Sequence, residues 1–132
     1  MALTNAAAMT ITEPWATPTW PDPLPDPAQT GGGYNPLADE LVIRFAGTTG
    51  QRSFVVPIPA ADDLESNVLS ADKTGAAVGV QIDNLLFRAV AAHPTWRVLA
   101  KPNPPTEVVA DLLAEVKRRF DRYGAGDTPP MG

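Results

Sequence analysis

The chain has 132 residues, no cysteine, and 15 acidic against 10 basic residues, which gives a formal net charge of -5. This length indicates one small domain, and the lack of cysteine excludes disulfides, thiolate metal sites and a cysteine nucleophile. The acidic balance argues against a general nucleic-acid binder and against attachment to an anionic membrane surface, which leaves other proteins as the expected partners.

No stretch has the pattern of a secretory signal or of a membrane span. No Lys or Arg precedes Arg44, and the longest apolar run, residues 54–61, has eight residues. A bilayer crossing needs about 18 or more. We therefore expect a soluble protein.

The composition changes at about residue 36, because seven of the fifteen prolines precede that point. Proline fixes φ and lacks an N–H donor, so residues 21–27 are expected to be polyproline-like. The glycines at 31–33 then predict a flexible joint. Residues 1–36 are therefore interpreted as an extended N-terminal arm.

Two tryptophans in this arm, Trp15 and Trp20, suggest that it binds other proteins. Tryptophan is enriched among interface hot spots, and a stiff proline-rich segment loses little entropy on docking. The candidate contact residues of the arm are Trp15, Trp20, Pro21, Pro23 and Tyr34. The alternative is that both tryptophans fold back onto the core of their own domain.

The first part of the domain contains two β-type runs and then a helical pattern. Residues 41–45 and 53–56 are β-branched and aromatic, and the turn-like residues 47–51 between them predict a hairpin. Apolar residues recur with helical spacing over 76–92, which predicts an amphipathic helix ending before His93. On that helix Val80 and Phe87 form a second apolar patch, which another element or a partner must cover.

The second part of the domain is predicted to contain a short strand at 96–99 and a last helix between Thr106 and Gly124. Thr106 is the expected N-cap of this helix, and Gly124 follows its end. The predicted fold is therefore α+β: a small ββαβα domain over residues 37–124, with a three-stranded sheet and two helices, between the extended arm and a flexible C-terminal tail, residues 125–132.

The sequence lacks the motifs of phosphate-binding loops, dinucleotide sites, zinc-protease helices and nucleophile elbows. The only histidine, His93, precedes Pro94 at a predicted helix end, where a capping role explains it. A hydrolase would need Ser53, Ser66 or Ser70 beside it. We therefore expect no catalytic residue, no cofactor and no metal site.

The chain resembles small virion structural proteins of tailed bacteriophages that infect actinobacteria, especially minor tail or baseplate components. The likeness rests on the alanine-rich start, on the arm at residues 15–23, and on a cysteine-free core rich in Ala, Arg and Asp, in a chain with only three lysines. It implies a non-catalytic subunit located in the virion tail tip, or at the head-to-tail junction, whose arm binds neighbouring virion proteins. Copies of the same chain are a further possible partner, and from the charge and the missing motifs we expect no nucleic-acid, membrane or small-molecule partner. The alternative is an adaptor or assembly factor in the bacterial cytoplasm that uses the arm as a transient ligand.

Overall fold

The computed structural model describes residues 18–48, 51–59, 64–72 and 75–124. These residues form a five-stranded sheet in which every pairing is antiparallel. In chain order the strands are β1 (Gly31–Asn35), β2 (Glu40–Arg44), β3 (Phe54–Pro57), β4 (Glu65–Ser70) and β5 (Ala77–Asp83). The order across the sheet is β1-β2-β5-β4-β3, so β1 and β3 are the edges.

The main helical segments follow the last strand. A π-helical turn (Leu85–Ala89) continues into the short helix α1 (Val90–Ala92), then come a 3-10 helix (Pro94–Ala100) and the long helix α2 (Thr106–Tyr123). A short 3-10 turn (Pro27–Gln29) precedes β1. Among the helices in the described ranges, none combines the length and the apolar character that a bilayer crossing requires.

One face of the sheet packs against the helices. Leu41 opposite Ile82 is a typical cross-strand pair on this face, and neither side chain is more than 1% exposed. Trp96 of the 3-10 helix is fully buried and donates from Nε1 to Oδ2 of Asp111 at 2.9 Å, which ties this helix to α2. The apolar stripe of α2 completes the core with Val109, Leu112, Leu113, Val116 and Phe120.

The α+β class and the last helix, observed over Thr106–Tyr123, are confirmed, but the three-stranded ββαβα architecture is wrong. The predicted helix over 76–92 is strand β5 up to Asp83 and helical only from Leu85. A central strand buried on both faces gives an apolar run whose periodicity does not separate strand from helix. The N-cap position of α2 is Pro105 rather than Thr106, and no side chain caps it.

The predicted hairpin and the predicted third strand are also wrong. β2 pairs with β1 and β5, whereas β3 pairs with β4, so the two strands of the expected hairpin are not neighbours. Residues 96–99 belong to the 3-10 helix. Side chains three residues apart lie on one side of a 3-10 helix, and Trp96 and Leu99 are accordingly both buried.

The described part of the expected arm, residues 18–36, is packed on the domain. Thr19 forms a parallel bridge with Ala76 at the start of β5, and the aromatic ring of Trp20 lies beside Phe45 and Phe120. The three glycines form edge strand β1 rather than a flexible joint. Gly32 has a φ of 101°, and a Cβ there would come within 2.1 Å of a backbone oxygen of β2, so this strand requires glycine. The predictions for Trp15 and for the tail 125–132 lie outside the described residues.

Candidate interaction surface

The turn that joins β1 to β2, residues 36–39, meets the start of the helical segment that follows β5. Asp39 makes the junction: its Oδ1 accepts from the N–H of Leu86 at 2.9 Å and its Oδ2 from the N–H of Phe87 at 3.0 Å. Its backbone oxygen accepts from the N–H of Leu85 at 3.1 Å. The first N–H groups of a helix have no partners within the helix, so Asp39 caps this segment from a distant part of the chain.

The backbone of this junction is fixed from several directions. Asp39 and Asn84 both have left-handed φ values, 53° and 55°, a conformation that Asp and Asn tolerate better than most residues. Asn84 donates from Nδ2 to Oε1 of Glu65 at 2.8 Å, and Arg88 forms an ion pair with the same carboxylate. Left-handed residues persist where surrounding contacts determine them and are concentrated at functional sites.

Tyr34 links β1 to the carboxylate of Asp39. Its hydroxyl donates to Oδ1 of Asp39 at 2.7 Å. Burial raises the pKa of Asp39, but the hydrogen bonds from Tyr34, Leu86 and Phe87 outweigh it, and the pKa of Asp39 falls below its ordinary value. The hydrogen bond to Asp39 in turn raises the pKa of Tyr34. Both shifts favour the pair of protonated Tyr34 and ionised Asp39 at neutral pH.

Three large apolar side chains around Asp39 are exposed. Leu37 is 97% exposed, Phe87 80% and Leu86 39%. We call these three residues, together with Asp39, the Phe87 corner. A single exposed leucine is ordinary on a protein surface, but an exposed aromatic ring on a backbone held by side-chain and main-chain hydrogen bonds is the arrangement expected of an interface anchor.

The end of the sheet beside the Phe87 corner is acidic. Glu40 lies opposite Asp83, and Asp83 lies opposite Glu65, so three carboxylates follow one another across β2, β5 and β4. Amide groups of Asn67 and Gln81 donate to Asp83, each at 3.1 Å. Arg88 already pairs with Glu65, so the repulsion that a partner with basic groups would relieve is the one between Glu40 and Asp83.

Two of the predicted contact residues have different surroundings from those expected. Phe87 is exposed, but Val80 is fully buried in β5. The two residues therefore do not form one patch, because the helical spacing that joined them is absent. Trp20 is half-buried against Phe45 and Phe120 of its own domain.

The other predicted contact residues in the described ranges lie in the segment before β1 and in β1 itself. Pro21 is half-buried and Pro23 exposed, while Tyr34 is half-buried and binds Asp39. Sequence reasoning did not find Leu37, Asp39 or Leu86. The one local feature that indicates an exposed apolar residue here is Leu37, a leucine that directly follows Pro36 in a turn.

His93 and two of the serines considered for a hydrolase, Ser53 and Ser70, have other contacts. The ring of His93 stacks on Trp96 with centroids 4.0 Å apart. Ser53 accepts from Nη2 of Arg44 at 3.1 Å, and Ser70 donates to the backbone oxygen of Asp72. Within the described ranges, no group of three or more Asp, Glu, His or Cys side chains could hold a metal ion.

Replacing Asp39 tests how the Phe87 corner is held. We expect Asp39→Ala to lower the free energy of unfolding by about 1–2 kcal/mol, since it removes a charged cap and the acceptor of Tyr34. Asp39→Asn keeps the size and the tolerance for left-handed φ but cannot accept hydrogen bonds through its NH2 group. Denaturant unfolding of the three proteins at pH 7 measures both effects.

The same variants give a pH dependence of known sign. The pKa of Asp39 is lower in the folded protein than its ordinary value of 3.8. The stability contributed by its ionised form is therefore complete above that value and is lost as the pH falls through the lower, folded value. We expect the advantage of the wild type over Asp39→Asn to shrink on acidification. An advantage that stays constant down to pH 2 would contradict this assignment.

Comparison of the chain with protein-family models, with curated proteins and with solved structures found no match.

Proposed function

We propose that the protein is a non-catalytic structural subunit of a larger assembly and that it binds a neighbouring protein through the Phe87 corner. The observation that supports this function best is an aromatic side chain that is 80% exposed while its backbone N–H is bonded to Asp39. A ring held in this way can enter an apolar pocket of a partner without ordering its own backbone first.

The size of the apolar contact is sufficient for an anchor. Full burial of a phenylalanine side chain from full exposure gives about 1.5–3 kcal/mol. The ordering of partner groups removes a part of this gain. Leu37 and Leu86 enlarge the contact, and the carboxylate row beside it favours a partner pocket with a basic rim.

The assembly that we propose is the tail of a tailed bacteriophage. The support for it is the likeness of the composition and of the N-terminal segment to minor tail and baseplate components. In such an assembly the subunit stays in the finished particle. An adaptor with the same surface would act during assembly and then leave.

Quantitative mass spectrometry of purified mature particles separates these two functions. A structural subunit is expected at a fixed copy number relative to the other particle proteins in repeated preparations. Recovery of the protein only from the soluble fraction, with none in the particles, would contradict the proposal and would favour the adaptor.

A further inference from the structure

Strand β1 leaves one side of its backbone without a partner. It lies at the edge of the sheet and pairs only with β2. Gly31, Gly32, Gly33 and Asn35 are exposed. Over the described part of the chain, no element other than β2 forms a backbone hydrogen bond with this strand. An open edge of this kind is a template for another strand.

The hydrogen-bond pattern shows which groups point outward. The N–H of Phe45 donates to the backbone oxygen of Val78 at 2.9 Å. Because bonding directions alternate along an antiparallel strand, the odd-numbered residues of β2 bond to β5 and the even-numbered ones bond to β1. Gly33 lies opposite an even-numbered residue and so bonds to β2. Its neighbours Gly32 and Tyr34 therefore direct their N–H and C=O groups away from the sheet.

The two edges of the sheet differ in their protection against pairing. β3 ends at Pro57, and Pro59 follows it. Proline has no N–H to donate, which blunts an edge. β1 has the sequence Gly-Gly-Gly-Tyr-Asn and contains neither proline nor a charged side chain. Pro36 directly follows β1 in the same way, so the difference between the edges is the proline within β3, which has no counterpart within β1.

We propose that β1 pairs with β1 of a second copy of this chain, antiparallel and across a two-fold axis at Gly33, so that the two sheets become one. In this register Gly32 of each copy bonds with Tyr34 of the other, and every outward group of both residues obtains a partner. The register is self-complementary, as a two-fold interface requires. This interface goes beyond the proposed function and does not involve Phe87.

The strand pairing by itself is a small contact. A five-residue strand is about 17 Å long, so the paired edges give less than the roughly 800 Å² per copy of a stable dimer. A cavity of about 640 Å³ adjoins β1, and its mixed lining includes Leu99, Pro104 and Val109 together with Asn103 and Lys101, the only charged lining residue. We expect a dissociation constant on the order of micromolar.

Sedimentation of the full chain over a range of concentrations tests the dimer, with Gly33→Lys as the disrupting variant. A Cβ at Gly33 meets no atom within 4 Å and its φ is not positive, so the variant is expected to fold. In the dimer the two lysines would face each other across the axis at a non-hydrogen-bonded position, where Cβ atoms are about 4.5–5.5 Å apart. We expect the dissociation constant to rise at least tenfold.

Gly33→Ser is the matched control, because it adds an uncharged side chain at the same position and should still dimerise. Phe87→Ser should dimerise like the wild type, which separates this interface from the Phe87 corner. A wild type that is monomeric at all concentrations would overturn the proposal, and so would a Gly33→Lys variant that dimerises equally well. If Gly33→Lys does not fold, amide exchange of Tyr34 in the wild type decides: it should slow with rising concentration, and an exchange rate independent of concentration contradicts the dimer.

Discussion

Replacing Trp20 by alanine is expected to lower the free energy of unfolding by about 2–4 kcal/mol, because the variant leaves a gap in a packed aromatic cluster. The Trp20 ring centroid lies 6.1 Å from that of Phe45 and 5.6 Å from that of Phe120, and Nζ of Lys117 lies 5.8 Å from it. These contacts join the proline-rich segment to β2 and to the end of α2. Denaturant unfolding of the purified variant measures the loss.

Trp20→Phe is the control for this prediction. Nε1 of Trp20 is buried and has no hydrogen-bond partner in the described structure. Phenylalanine keeps most of the ring contacts and removes this unpaired donor, so we expect a loss under about 1 kcal/mol. If Trp20→Ala unfolds at the same denaturant concentration as the wild type, the segment is an independent arm and the packing described above is wrong.

Replacing Phe87 by serine is expected to reduce incorporation of the protein into the purified assembly at least tenfold, which corresponds to about 1.4 kcal/mol of binding free energy. Truncation of an aromatic anchor at the centre of an interface often costs about 2 kcal/mol or more. The melting temperature should not change, because the ring is 80% exposed and contributes little to the core. The amount of variant relative to wild type in particles produced from a mixture of both gives the ratio.

Tyr123→Ser is the matched control for the loss of an exposed aromatic ring. Tyr123 is 40% exposed at the end of α2, where its ring lies against Arg122. It should be incorporated like the wild type. Equal loss for both variants would mean that surface aromatic residues act through solubility, and unchanged incorporation of Phe87→Ser would exclude the Phe87 corner as the contact.

The parts of the fold that the sequence predicts are those with strong local signals. The helix over 106–123 has one continuous apolar stripe, and Gly124 at its end has a φ of 73°. β2 and β3 contain β-branched runs. Strand β1 has no such signal, because glycine is depleted in strands and only the close approach of β2 explains Gly32 there.

Strand β5 shows why local spacing fails in the centre of the sheet. Val78, Val80 and Ile82 alternate as in a strand, yet Val78 and Ile82 also share one helical face with Leu85 and Ala89. The neighbouring strands decide between the two structures, because β2 and β4 pair with this segment on either side. Sequence spacing contains no information about those neighbours.

The candidate surface could be predicted only in part for the same reason. The prediction of Phe87 as a contact residue rests on a helical pattern, but residues 77–83 form a strand. Phe87 is nevertheless exposed. Asp39 and Leu86 are 47 residues apart in the chain, and their hydrogen bond requires the order of strands that brings β2 beside β5. A contact of that range cannot be read from either segment alone.

Photo-crosslinking from position 87 tests the Phe87 corner most directly. A photoreactive phenylalanine analogue replaces Phe87 in cells that produce the assembly, and the same analogue at Ala114, an exposed position on α2, is the control. We predict that position 87 forms a crosslink to one defined neighbouring protein and that position 114 does not. No crosslink at position 87, or the same products from both positions, would contradict the account.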